Sequence, residues 1–343
     1  MANAAFSPRD FKAWIVEETD TGNNGGALDA PAITSGLYQL DVDSVAFPGI
    51  APNQVLDVRS SVGRVLHKND FFQDDVLRAT EVSLSGTYHN DVGHVLLMQS
   101  ACGVNLNAAV ADVAIPTAST TISGLYGFGT ESDKTFTLVL APPDTTDAYN
   151  IVLVGCLCTN FSISADSGSD GGLYKWSATI STGCKPITNN AQTEAGTVYP
   201  AVGISINTLT GATTINSIAS TVLSSFSVTI DSPAVYSGVA STGFAAFARG
   251  PELAVTCAAQ VKYDAATRPL INNFNTQSSI GVDEALFFVM TQATATNCSI
   301  AIGAGVLTNA ALSEGDIMMV DVEGKAVNVC LLYTSDAADD LLC

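Results

Sequence analysis

The sequence predicts a mainly β protein: a β-rich α+β chain of two tandem β-sandwich or barrel domains, each with one short helix. Three observations lead there. Short runs that alternate apolar and polar residues recur along the chain, the mark of half-buried strands. One arrangement of strand, tyrosine and helix occurs twice. The bulk is Ala, Ser, Thr, Gly and Val, with 47% hydrophobic and only 13% charged residues, a composition that excludes intrinsic disorder.

Residues 1–35 read as an N-terminal arm. They hold a short run around Trp14, Ile15 and Val16, then the loop-like DTGNNGGALDAPA. The first domain is expected over 36–185. In Glu81–Asp91, Val82, Leu84 and Tyr88 share one face and Ser83, Ser85 and Thr87 the other. Val92–Gly103 carries helical spacing at Val92, Val95 and Leu96, with Gly103 suited to a C-terminal cap. Strand-like runs follow: TISGLYGF, TFTLVLAPP, IVLVGCLCTNFSIS and GGLYKWSATIS. Pro142-Pro143 and Asp166–Gly172 mark turns between them. Residues 186–218 are polar, nearly uncharged and rich in Thr and Asn, and read as a linker. The second domain is expected over 219–329.

The second half repeats the first. Glu252–Gln277 has an alternating strand that ends at Tyr263-Asp264, as the first ends at Tyr88 and Asp91. A short helix follows with Leu270, Ile271 and Phe274 apolar and Pro269 in its first turn. Downstream, Leu157-Cys158-Thr159-Asn160 matches Val306-Leu307-Thr308-Asn309.

The 343 residues carry 13 basic and 33 acidic side chains, a formal charge of −20. That sign opposes a nucleic-acid-binding face, which needs Lys and Arg. No run of about 18 apolar residues is present to span a bilayer. The opening MANAAFSPRDFKAWIVEE has neither the basic start nor the apolar core of a signal peptide, so synthesis and assembly in a cytosol are expected. The eight cysteines offer only Cys156-x-Cys158 as a close pair, a poor zinc spacing. They read as buried small residues in a reduced compartment.

A catalytic constellation is hard to find. His89-Asn90-Asp91-Val92-Gly93-His94 brings two of the three histidines together, but at a strand–helix junction, where Asn or Asp caps the helix. Gly129–Thr135 approximates a phosphate loop, yet Asp133 stands where glycine belongs. Asp166–Gly171 approximates a calcium loop, yet Gly168 replaces a ligand and Ser177 the bidentate acid. No enzyme, cofactor or metal is expected. The alternatives kept open are a capsid or decoration subunit, a secreted adhesin-like β protein, and a hydrolase centred on His89 and His94.

With the Glu81–Gly103 unit, the long stretch before it and the LCTNFSIS…LYKWSATI pair, residues 35–329 resemble a bacteriophage tail tube protein with a duplicated tube domain. The tail Cys330–Cys343, CLLYTSDAADDLLC, resembles a translated sequencing adapter, and 330–343 is set aside as non-native. The resemblance implies a virion subunit, assembled in a host bacterial cytoplasm. Sheets would join edge to edge into trimeric rings with pseudo-sixfold symmetry. Stacked rings would enclose a lumen that passes DNA without specific binding, beside other tail proteins and no membrane. It also implies a ring-stacking loop between Val42 and Thr80. The candidate stacking residues there are Asp57, Arg59, Arg64, His67, Lys68, Asp70, Asp74, Asp75 and Arg78. The shorter stretch 231–251 would stack less.

Overall fold

A computed structural model describes residues 7–18, 36–47, 53–56, 71–74, 80–89, 91–101, 120–122, 135–143, 150–184, 186–188, 196–199, 203–208, 213–220, 222–237, 246–250, 253–277, 281–282, 288–290, 298–302 and 305–326. The first half runs β1 (Lys12–Glu17), β2 (Leu37–Leu40), β3 (Ser44–Ala46), β4 (Asn53–Leu56), β5 (Phe71–Asp74) and β6 (Thr80–Thr87). Helix α1 (Val92–Ala101) follows, then β7 (Thr120–Ile122), β8 (Phe136–Ala141), β9 (Ile151–Asp166), β10 (Lys175–Thr182), β11 (Ile187–Thr188) and β12 (Gly196–Thr197). The second half runs β13 (Thr213–Ile215), β14 (Ile218–Ser220), β15 (Leu223–Asp231), β16 (Ala234–Ser237), β17 (Ala246–Arg249) and β18 (Ala254–Lys262). Helix α2 (Arg268–Thr276) follows, then β19 (Gly281–Val282), β20 (Phe288–Met290), β21 (Cys298–Ile302), β22 (Gly305–Ser313) and β23 (Met319–Ala326). The protein is mostly β.

One 14-stranded sheet crosses both halves. Its centre is β9, a strand long enough to pair along both edges. One edge takes β8 and then β15; the other takes β11 and then β10. From there a continuous ribbon runs β3-β6-β10-β9-β15-β18-β23-β22. The two ends of this ribbon repeat one another. β6 lies between β3 and β10, and β18 lies between β15 and β23. A hairpin interrupts each unit at the same place: β4–β5 after β3, and β16–β17 after β15. A helix follows β6 and another follows β18.

The likeness extends to the flanking strands. β1 pairs with β2 and β8, and β13 pairs with β14 and β20. So residues read as an arm and a linker supply pairing strands. The β13–β14 turn is Asn216-Ser217, both with positive φ (47° and 65°), the geometry of a tight two-residue hairpin whose twist matches the strands.

Alternation explains which side of the ribbon is the core. Val82, Leu84 and Tyr88 are buried, as are Phe161, Ile163, Phe226, Val228, Val261, Val320 and Val322. Helix α1 packs on β9 with Leu96, Leu97 and Met98 buried. Asp91 caps it, its Oδ1 accepting the backbone N–H of His94 at 3.0 Å, as the motif predicts. Helix α2 buries Leu270 against the β22 side, with Pro269 in its first turn. Gly103 lies outside the described residues. Among the described residues no helix is long and apolar enough to cross a membrane.

Candidate functional site

The outer face of the ribbon is chemically uniform. β9 presents Ser162, Ser164 and Asp166; β15 presents Ser225, Ser227 and Thr229; β10 presents Lys175, Ser177 and Thr179. Each alternates with a buried apolar neighbour, so the hydroxyls follow from the two-residue period of the strands. The face is hollowed into a shallow trough that spans β9, β10, β15, β18, β22 and β23. Asp166, Asp170, Asp321 and Glu323 line it against one cation, Lys175, so its field is negative. Asp321 accepts a hydrogen bond from Gln260 Nε2 at 2.8 Å, which holds one carboxylate on the wall.

The halves meet at the β9–β15 seam, in antiparallel register from Asp231↔Asn160 to Ser225↔Asp166. Ser232 N donates to Thr159 O and Ser167 N to Ser224 O, both at 2.8 Å, extending the ladder beyond the strand ends. Ser162 and Thr229 hydroxyls meet across it at 3.1 Å.

A clamp reinforces the seam. β9 has an irregularity at Thr159, where β10 passes from Cys158 to Asn160. The polar groups it frees are satisfied from two directions. Ser100 Oγ, near the end of α1, accepts Cys158 N–H at 3.0 Å. Arg249, at the end of the β16–β17 hairpin, donates through Nη1 to Cys158 O at 2.8 Å and Ser232 O at 3.1 Å, and through Nη2 to Ser100 O. Its cation also complements the C-terminal end of the α1 dipole. From the same hairpin, Tyr236 Oη donates to Ser181 O at 2.8 Å. The second hairpin is thus fastened onto the first half.

The loop expected to stack rings is a β-hairpin at its base. β4 and β5 pair from Asn53↔Asp74 to Leu56↔Phe71, which leaves 57–70 as the connection. Asp74 is the last residue of β5. Asp57, Arg59, Arg64, His67, Lys68, Asp70, Asp75 and Arg78 lie outside the described residues. The seam, the trough and the Arg249 clamp were not picked out in the sequence. The spaced Ser-x-Ser of β9 and Ser-x-Ser-x-Thr of β15 were the available signal.

His89 and His94 are tied to separate carboxylates. His89 Nε2 meets Asp41 Oδ2 at 2.8 Å, and His94 Nδ1 meets Asp91 Oδ1 at 2.9 Å. Both rings are buried, His94 edge-on to Tyr88 and Trp176 and His89 against Tyr199. This is a packed junction beneath α1. Among the described residues no group of three or more His, Cys, Asp or Glu is placed to hold a metal.

Cys156, Cys158, Cys184 and Cys257 are buried thiols outside any disulfide. Burial, with Glu18 nearby, pushes the Cys156 thiol up. Burial pushes Cys184 from 9.0 to about 11 and Cys257 from 9.0 to about 12. These thiols stay protonated when folded but ionise once exposed. Above about pH 9 the unfolded chain therefore binds fewer protons, and stability falls as pH rises towards 12. Urea unfolding midpoints are expected to be flat from pH 7 to 8.5 and to decline above 9.

Residues 11–326 match the family model described as phage tail tube protein. The chain belongs to the phage tail tube protein family. A search of curated proteins found no match. As a tail tube family member it is a structural, self-assembling component of a virion tail, in a family that is generally non-enzymatic. Residues 330–343 lie beyond the matched span and outside the described residues.

Proposed function

We propose that three copies close into a ring with pseudo-sixfold symmetry, and that rings stack into a tube through which DNA passes during ejection. The β9–β15 seam carries this reading. One chain already joins two matching units edge to edge, in one sheet with a polar, acid-lined hollow face. Repeating that junction between copies turns the hollow face into a lumen and removes exposed sheet edges. In this reading each half is one tube domain, with β1–β2 and β13–β14 as equivalent flanks.

Magnitudes favour a channel. Eight ribbon strands per chain and three chains give 24 strands. At about 4.8 Å per strand and a tilt of about 40°, the backbone barrel is about 48 Å across. That exceeds what a water-filled pore needs. A wall rich in hydroxyls and carboxylates repels phosphate, so DNA slides without specific binding.

The β4–β5 hairpin tip, with Asp57, Arg59, Arg64, His67, Lys68, Asp70, Asp74, Asp75 and Arg78 in and beside it, docks on the adjacent ring. Other tail proteins cap the tube, and assembly takes place in the host bacterial cytoplasm. Negative-stain electron microscopy of the purified chain tests this: stacked rings with a central channel are expected. Closed shells would instead support a capsid or decoration subunit and overturn the tube.

A further inference from the structure

We infer that the outer edge of β22 receives β3 of a second copy in the register of the internal β9–β15 seam, with the β4–β5 hairpin crossing that junction. The inference rests on the ring reading and specifies its contacts. Among the described residues, β22 pairs with β23 along one edge and with β19 only at Gly305 and Val306 on the other. Among the described residues β3 pairs only with β6. Leu312, on β22, is 46% exposed.

The equivalence is read from hydrogen-bond registers. β10 passes from Ile180 opposite Cys158 to Thr179 opposite Asn160. β23 passes from Gly324 opposite Leu307 to Glu323 opposite Asn309. The same irregularity, skipping Thr159 and Thr308, aligns Cys158 with Leu307, hence Ile163 with Leu312 and Ser164 with Ser313. On the other side, Leu84 faces Ala178 and Val45, while Ala259 faces Val322 and Phe226. Val45 therefore stands where Phe226 stands, and Ala46 where Ser227 stands.

Transferring the seam gives two pairs. Ser164↔Ser227 becomes Ser313 opposite Ala46 of a second copy. Ile163↔Val228 becomes Leu312 opposite Phe47 of a second copy. Ile163 is 1% exposed inside its seam, so the exposure of Leu312 is that of the same position before its partner arrives. At the internal seam the β16–β17 hairpin crosses onto the preceding unit through Tyr236 and Arg249. β4–β5 leaves β3 at the equivalent point. Asn53↔Asp74 takes the register place of Ala234↔Arg249, so an aspartate stands where the internal seam has its arginine.

The test uses the full chain with Ala46→Cys and Ser313→Cys, under mild oxidation. In the parent seam the ladder bonds fall on the 159–232 and 167–224 pairs, so Ser164↔Ser227 is a non-hydrogen-bonded pair, with side chains at their closest. Ser164→Cys with Ser227→Cys is the intramolecular control. Expected are dimers and trimers on a non-reducing denaturing gel, lost on reduction, while Ser44→Cys with Ser313→Cys stays monomeric. Rings visible by microscopy without the Ala46–Ser313 link overturn the register but leave the ring reading. No rings and no link overturn both. Leu312→Asp, at an exposed position, is expected to keep the circular dichroism of the parent and to lose the rings; rings of unchanged abundance overturn the inference.

Discussion

Gly86→Ala is expected to destabilise the chain by about 3 kcal/mol, the upper range for forcing an atom into packed structure. A Cβ at Gly86 would lie 1.9 Å from the carbonyl oxygen of Asp41 and 2.8 Å from its carbon. Those are backbone atoms, so the β2–β3 connection itself must move. Two contacts of Asp41, to Trp176 and to His89, go with it. Trp176 Nε1 donates to Asp41 O and to Thr87 O, both at 3.1 Å, and Asp41 holds His89. Trp176 lies directly opposite Gly86 in the ladder and is among the largest fully buried side chains. The glycine is what lets a tryptophan on β10 and a chain crossing over β6 share one layer. Urea unfolding is the measurement, with Ser177→Ala on the polar face as a control expected within about 0.5 kcal/mol of the parent. A Gly86→Ala variant as stable as that control would mean that the crossing is loose.

Replacing residues 57–70 by Asn-Gly is expected to convert tubes into separate rings. The stem register ends on Leu56↔Phe71, so a two-residue turn closes it without altering β4 or β5. The fold and the junction between copies are then expected to be retained, with only the segment proposed to dock on the adjacent ring removed. Because the segment mixes both charge signs, stacking in the parent is also expected to weaken with salt, as exposed ion pairs are screened over about 10 Å at 0.1 M. Sedimentation with microscopy reads both effects. Tubes of parental length after the replacement would place ring stacking elsewhere.

The strand pattern was legible in Glu81–Asp91, where one face is buried. Val82, Leu84 and Tyr88 lie in the core and Ser83 outside, as alternation requires. The Leu-Cys-Thr-Asn and Val-Leu-Thr-Asn match was legible too, and the registers of β9 and β22 align those residues one for one. The roles of residues 12–17 and 213–220 were harder to see. β1 is an internal strand and carries apolar residues in succession, Ala13, Trp14 and Ile15 all being buried, which erases the alternation that marks a strand. β13 and β14 have three residues each, too few for a period to register. The β9–β15 seam joins residues some seventy positions apart (231 against 160); no local signal encodes such a pairing, and only the hydroxyls on both strands hinted that they share a face. Arg249 gave no signal in sequence, because the carbonyls of Cys158, Ser232 and Ser100 that it meets are brought to it from separate elements by the fold.

The central claim is that one chain supplies two equivalent tube units joined by the seam that also joins copies. Cryo-electron microscopy of the assembled particle tests it most directly, through rotational symmetry and copy number. The account predicts threefold rings of three chains, with six similar units about the axis and the Ser/Thr/Asp face of β9 and β15 lining the channel. A ring of six chains, or one with that face turned outward, would contradict it.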